Sequence, residues 1–390
     1  MQYVCHLWLP PVQINTTNVS TSGFSITLRS YDEEIRNFLD SVLLGSPGGI
    51  QYRVHRESSI NQGHENVHFL CLSRNKKLLG VVGLVNRVDV SGKTWLYIRY
   101  LHIKRTLVTD KINRTSVLNR KALTHKKSRD KRISLLEEKL LGHLEEFSER
   151  LATRNTLPAY AFVEDKNHRS MKLCNRFNFN KAQEIQTMLF HRFNPTPHSQ
   201  IRLMTHEELQ GMDHKLRHFY NSYTAYHTEG INQQGYFLGY WMNGEWVAIT
   251  RIMRHQWDIE RLPERFSFLH KWKIDRWPYL RKVIPGQAFH FLTADYFWFK
   301  QYCERYLEKI MVHALAKEDV NTVMLWLSKE SPHGQVLRKA ISWGFLNKLG
   351  HSGSVSLVMR EFGGDKVETQ EIQVLKTKIG PTFINANDMT

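Results

Sequence analysis

The chain of 390 residues has little cysteine, little acid and no long apolar run. Its four cysteines, Cys5, Cys71, Cys174 and Cys303, lie far apart with no Cys-x-x-Cys pair, which excludes a disulfide framework and a zinc ribbon and fits a reducing compartment. The longest apolar run, residues 78–85, falls far short of the ~20 residues a membrane helix needs. The first dozen residues, broken by Pro10 and Pro11, lack the charged start and long apolar stretch of a secretory signal. A soluble cytoplasmic protein with no membrane partner is expected. The shortage of acid says most: 37 Asp plus Glu against 54 Lys plus Arg leaves a net charge of +17, which calls for an anionic partner. That charge is local. Between Lys104 and Arg132 stand eleven basic residues and two acids, +9 in 29 residues and over half of the total.

What is present reads as an ordinary globular chain long enough for two domains. Residues 25–28 read as a strand, and Ser30-Tyr31-Asp32-Glu33 matches a capping box that opens a helix carrying Ile35, Phe38, Leu39, Val42 and Leu43 at helical spacing. Strands follow over 67–73, 78–88 and 94–103, joined by the polar turns at 74–77 and 91–93. After the basic segment, Ile133, Leu136, Leu140, Leu144, Phe147 and Leu151 write one apolar helix face. A strand over 160–163, a short helix over 167–177 and a closing strand over 187–193 complete an α+β order with a mostly antiparallel sheet. Beyond Pro195-Thr196-Pro197 a similar order recurs: a helix over 207–220, a hairpin around Asn243-Gly244, a strand over 289–299, a helix over 302–316, a strand over 321–327, a helix over 335–343 and a closing strand over 355–360. The division expected is a lead over 1–23, one domain over 24–195, a second over 200–362, and a tail over 363–390 that is partly disordered, with 371–376 as an added edge strand.

The segment from Asp165 to Phe179, DKNHRSMKLCNRFNF, resembles the late helix of the GNAT acyltransferase superfamily, whose form is Asn-x-x-Ala/Ser-x-x-Leu-Tyr-x-x-x-Gly-Phe; Asn167, Ser170, Leu173 and Phe179 are in register. Upstream, Ser128 to Leu136 resembles the pyrophosphate motif Arg/Gln-x-x-Gly-x-Gly/Ala, with Arg132 and Ser134 at the glycine positions, and Trp343-Gly344-Phe345 repeats the Gly-Phe ending. The pattern is similar to tandem GNAT proteins, in which commonly one copy keeps the cofactor site. The fold implied is two GNAT-like domains, each a mixed, mostly antiparallel twisted sheet flanked by helices. The activity implied is N-acyl transfer from acetyl-CoA or another acyl-CoA to a small-molecule or peptide amine by direct attack, which needs a base, an oxyanion donor and a proton for the departing thiolate.

On that resemblance the first copy holds the acyl-CoA, through Leu101, His102 and Ile103 at a strand end, Arg129, Lys131, Arg132, Ile133 and Ser134 at a helix start, and Asn167 and Ser170. Cys174 replaces the family Tyr as proton donor, and His102, which titrates near neutrality, is the candidate base. Each has a plain reading beside it: a small buried hydrophobe for Cys174, a hydrogen-bonded strand residue for His102. Strict alternation along 94–103 places Trp95, Tyr97, Arg99 and Leu101 on one face and Leu96, Ile98, Tyr100 and His102 on the other. In the second copy no glycine precedes the helix at Tyr302 and Ala340 stands at the Tyr position, so it shapes an acceptor cleft or serves as scaffold. Two alternatives stay open: a degenerate GNAT-fold binding module, or a Fem-like aminoacyl transferase whose segment 104–132 contacts tRNA or another nucleic acid. Gly92-Lys93-Thr94 is a hairpin turn rather than a phosphate loop, His214 and His218 are surface residues, and no metal site is expected.

Overall fold

A computed structural model describes residues 24–45, 49–54, 67–103, 140–148, 157–232, 235–262, 288–344, 347, 353–362, 380–385 and 388. In chain order the elements are β1 (Phe24–Arg29), α1 (Glu33–Asp40), β2 (Gln51–Val54), β3 (Val67–Arg74), β4 (Lys77–Val88), β5 (Thr94–Ile103), a helix over 140–148 called α2, β6 (Leu157–Glu164), α3 (His168–Arg176) and β7 (Asn180–His191). There follow β8 (Ile201–Leu203), α4 (His206–Phe219), β9 (Tyr236–Met242), β10 (Glu245–Arg261), β11 (Ala288–Phe299), α5 (Arg305–Glu318), β12 (Thr322–Ser328), α6 (Pro332–Ala340) and β13 (Ser354–Phe362).

Local chemistry accounts for most boundaries. Asp32, not Ser30, caps α1: its Oδ1 accepts from the Ile35 amide at 2.9 Å, and Arg29 pairs with the same carboxylate. Thr205 and Glu208 form a reciprocal capping box at α4. The β3–β4 and β9–β10 hairpins turn through left-handed residues, Asn75 and Lys76 in one and Asn243 and Gly244 in the other.

One mixed sheet runs through the molecule in the order β1-β3-β4-β5-β6-β13-β7-β12-β11-β10-β9-β8, with β2 on β10. It reads alike from either edge: three antiparallel pairings, one parallel pairing (β5 with β6, β11 with β12), then an antiparallel closing strand. The closing strands are exchanged. β7, made in the first half of the chain, pairs with β12, while β13, made last, pairs with β6, and β13 and β7 join the halves at the centre. The short strand β2, absent from the sequence expectation, also crosses over to pair with β10, where Tyr52 stacks on Trp257 at 3.8 Å.

On one face α2 and α3 pack against Leu96, Ile98, Leu157 and Val358, and α5 and α6 against Phe190, Ile252, Leu292 and Val323. On the other face α1 covers Phe69, Cys71 and Val81, and α4 covers Phe237, Ile249, Tyr296 and Trp298. The end of the chain is built into this face. Phe383 and Ile384 are buried, so this part of the expected disordered tail is core, while 363–379 lie outside the described residues. No helix among the described residues is long and apolar enough to cross a membrane.

Candidate functional site

Each parallel pair holds together only briefly. β5 pairs with β6 from Leu96 to Ile98, and β11 with β12 at Leu292 and Thr293. Beyond those residues the strands part into a wedge. In both halves a left-handed residue marks the departure, Tyr100 (φ 56°) on β5 and Tyr296 (φ 48°) on β11, each beside a break in register with the neighbouring strand. A bulge of this kind bends the strand and shifts its pleat by one. Leu101 therefore packs with Leu96 and Ile98 against α2 and α3, which corrects the expected alternation; Tyr100 and His102 share the other face with Trp95 and Tyr97. Among the described residues the β5–β6 ladder spans Leu96–Ile98 and does not continue into 99–103. An extended amide-bearing ligand can join a strand beyond the end of such a ladder.

The predicted site residues divide around this wedge. Leu101, His102 and Ile103 form its β5 wall, with His102 edge-on to Phe38 of α1 at 5.9 Å between ring centroids. Asn167 begins α3 directly after β6, but its Oδ1 accepts from the Ser170 amide at 3.1 Å, so capping engages the side chain. Cys174 lies in the apolar core beside Leu144, Phe177 and Phe362, where burial pushes its thiol up to about 11. It sits as a small apolar residue packs. Arg129, Lys131, Arg132, Ile133 and Ser134 lie outside the described residues, as does the segment 104–132. The position of the motif's glycine is held by Asn178 at φ 57°, matched in the second half by Gly344 at φ 91°; Asn is among the few residues that tolerate this region. His214 and His218 are exposed on α4.

In the second half the wedge is bridged by rings. His333, at the start of α6, stacks on Phe219 at 3.6 Å and lies edge-on to Phe299 at the end of β11. The Tyr223 hydroxyl lies 3.0 Å from His333 Nδ1 and contacts Ser331 Oγ. Burial lowers His333 to about 4, so the stack holds a neutral imidazole. In the first half the residue that opens α3, His168, is exposed instead.

Between the two wedges, beneath the chain's end, lies a buried polar centre that sequence reasoning missed. Arg87 on β4 grips Asp388 with both Nη atoms, at 2.6 and 3.0 Å, and donates to the Tyr160 hydroxyl at 2.7 Å. Arg251 on β10 grips Asp295 at 2.5 and 2.8 Å, donates to Asn385 Oδ1 at 3.0 Å, and reaches the Gly230 carbonyl. Burial alone works against each guanidinium, but the facing carboxylates outweigh it and hold both charges. Gln183 secures the same segment by donating to the Gly380 carbonyl and accepting from the Thr382 amide. His227 is wholly buried between the two arginines; burial and their charges drive it well below its ordinary value, and neither ring nitrogen has a hydrogen-bond partner among the described residues. The signal was in the sequence: a charged residue within an apolar strand, near the end of β4 at Arg87 and in the middle of β10 and β11 at Arg251 and Asp295.

No family model matches the chain, and no curated protein does. Among solved structures it is similar to the N-myristoyltransferase of Saccharomyces cerevisiae with bound myristoyl-CoA, at 9% identity over 93% of this chain and 90% of that one, with a TM-score of 0.49. It is also similar to a GCN5-related N-acetyltransferase from Anabaena variabilis ATCC 29413 (12% identity, 86% and 72% covered, TM-score 0.41) and to another from Sphaerobacter thermophilus (10% identity, 79% and 85% covered, TM-score 0.38).

Proposed function

We propose that the protein is an N-acyltransferase that takes an acyl-CoA, acetyl-CoA or a longer thioester, in the wedge of the first half and passes the acyl group to an amine. The observation that carries this reading is the asymmetry of the two wedges: a ring stack spans the second, while in the first the corresponding His168 is exposed and the β5–β6 ladder ends at Ile98 among the described residues. The residues fit such a ligand. The backbone groups of Leu101–Ile103 would hold an acyl-CoA through its amides and would supply donors for the charge that develops on the thioester carbonyl during transfer. When bound, the thioester supplies the activated acyl carbon. The protein's part is to hold that carbon at the bulge beside Tyr100 and to accept the amine proton, for which His102, carried on the diverging stretch of β5, is the candidate group. Cys174, enclosed in the core, contributes packing on this reading, and the proton taken from the amine is the one that returns to the departing thiolate. The second half, its wedge closed, serves as scaffold or acceptor cleft.

Calorimetric titration with acetyl-CoA and with a long-chain acyl-CoA, read together with hydrogen exchange, tests this. Binding that slows exchange of the amides at 99–103 and leaves 297–300 unchanged is the expected result. Absence of binding to either thioester, or protection confined to the second wedge, overturns it.

A further inference from the structure

His227, in the link between α4 and β9, has no part in the proposed acyl transfer, and its ring lies where an imidazole gains least. It is 3% exposed, with Phe383 of the end segment edge-on at 5.6 Å between ring centroids and Arg87 and Arg251 close enough to act on it. A neutral imidazole carries one donor and one acceptor, yet neither nitrogen has a hydrogen-bond partner among the described residues. The backbone is what is fixed: its carbonyl accepts from the Tyr296 hydroxyl at 2.9 Å. A ring that forfeits its hydrogen bonds on burial and is set among cations breaks the rule for buried polar groups, which points to a use beyond packing.

The surrounding groups say what that use is. Arg87 comes from β4, Tyr97 from β5, Tyr160 from β6, Tyr220 from α4, Arg251 from β10, Asp295 and Tyr296 from β11, and Asn385 and Asp388 from the end segment, while Tyr226 precedes the ring in the chain. Both carboxylates are gripped by guanidinium groups, Asp388 by Arg87 and Asp295 by Arg251. Burial disfavours a charged imidazole, and both arginines add to that. The end segment closes over this cluster. The Thr382 and Phe383 amides donate to Gln183 Oε1 and to the Thr224 carbonyl at 2.9 and 3.0 Å, and the two arginines hold Asp388 and Asn385. We infer that His227 is an acid-operated release for the end segment, residues 380–385 and 388: a proton on this imidazole sets a third cation beside Arg87 and Arg251, and the segment lifts from both halves to let it reach water. The sign follows from the two states. Docked, the segment keeps the ring neutral; lifted, it returns the ring to water and to its ordinary proton affinity near pH ~6.5. Docking is therefore at full strength above that pH and weakens about tenfold for each unit below it. This inference is independent of the acyl-transfer reading.

The test is hydrogen exchange of the full chain from pH ~7.5 to ~5, corrected for the intrinsic pH dependence of exchange, comparing wild type with His227→Gln. In wild type the opening constant of the amides of Thr382, Phe383 and Asn385 is expected to rise about thirtyfold over that range, and in His227→Gln less than threefold. The amides of Phe69–Leu72 in the β3–β4 ladder measure unfolding of the whole molecule and are expected to exchange more slowly than the end segment at every pH. A flat profile in wild type overturns the inference, as does an equal rise in His227→Gln or exchange of the end segment in step with the ladder. Should His227→Gln not fold, the NMR shift of the His227 ring proton in wild type decides. A ring that stays neutral at pH ~5 while the segment loses protection is expected, and an imidazolium beneath a segment still protected overturns the inference.

Discussion

At the scale of single residues, the pairing of Arg87 with Asp388 joins positions 301 apart in sequence and is buried. Removing one partner leaves a buried charge uncompensated. Asp388→Leu or Arg87→Met is therefore expected to cost about 3–5 kcal/mol, and the double variant Arg87→Met/Asp388→Leu less than the two together, read from urea denaturation. Additive losses would show that the two residues do not act as a pair. Acid sensitivity has a different source. His255 and His333 are each lowered to about 4, His255 by burial and then by Arg251, His333 by burial. A folded value below the unfolded one means the stabilisation is complete above pH ~6.5 and is lost as pH falls toward 4. The urea midpoint of wild type is expected to drop steeply across that window, and that of His333→Asn to drop less; parallel curves would exclude the imidazole. Cys174→Ala is expected to change turnover less than twofold, since the thiol is enclosed by apolar side chains, and a loss of tenfold or more would return it to the catalytic machinery.

At the scale of elements, turns were legible because their chemistry is local, and Asn243-Gly244 marked its hairpin. Helix ends were less so: Asp32 caps α1 where Ser30 was expected, and the Thr205–Glu208 capping box was not read from the sequence. The two bulges were not legible, because Tyr100 and Tyr296 offer none of the glycine that usually signals left-handed backbone; neighbouring strands impose it. The face of Leu101 was misplaced for that reason. Asn178 lies between these cases: the motif asks for glycine, and asparagine fulfils the same backbone demand. Asn178→Gly is expected to leave stability within about 1 kcal/mol of wild type, and Asn178→Val to cost ~2 kcal/mol or more, measured by denaturant unfolding. Equal effects would mean that the turn relaxes.

At the scale of the whole molecule, the exchange of closing strands escaped the sequence because alternation tells which face a strand buries and nothing about its neighbour. The strand carrying 101–103 and the helix that follows β6 were readable; the buried centre was hidden in the apolar strands β4, β10 and β11 and in the segment over 380–388. Those residues tie both halves, Asp388 to Arg87 and Asn385 to Arg251, with Phe383 ringed by Tyr220, Tyr226 and Tyr296. Truncation after Ile379 is expected to cost at least ~5 kcal/mol, from two lost large apolar side chains and an abandoned Arg87. A melting temperature within a few degrees of wild type would refute this.

The exchanged strands also govern how the protein is born. β6 leaves the ribosome long before its partner β13, roughly 190 residues later, a wait of ~10–40 s at ordinary translation speeds. Throughout that interval an apolar strand has one side without its native neighbour, and the first half is unfinished however well its own helices pack. Completion of the first half thus waits on a distant segment, with hydrogen bonding between residues far apart in sequence, the regime in which nascent chains aggregate and chaperones matter most.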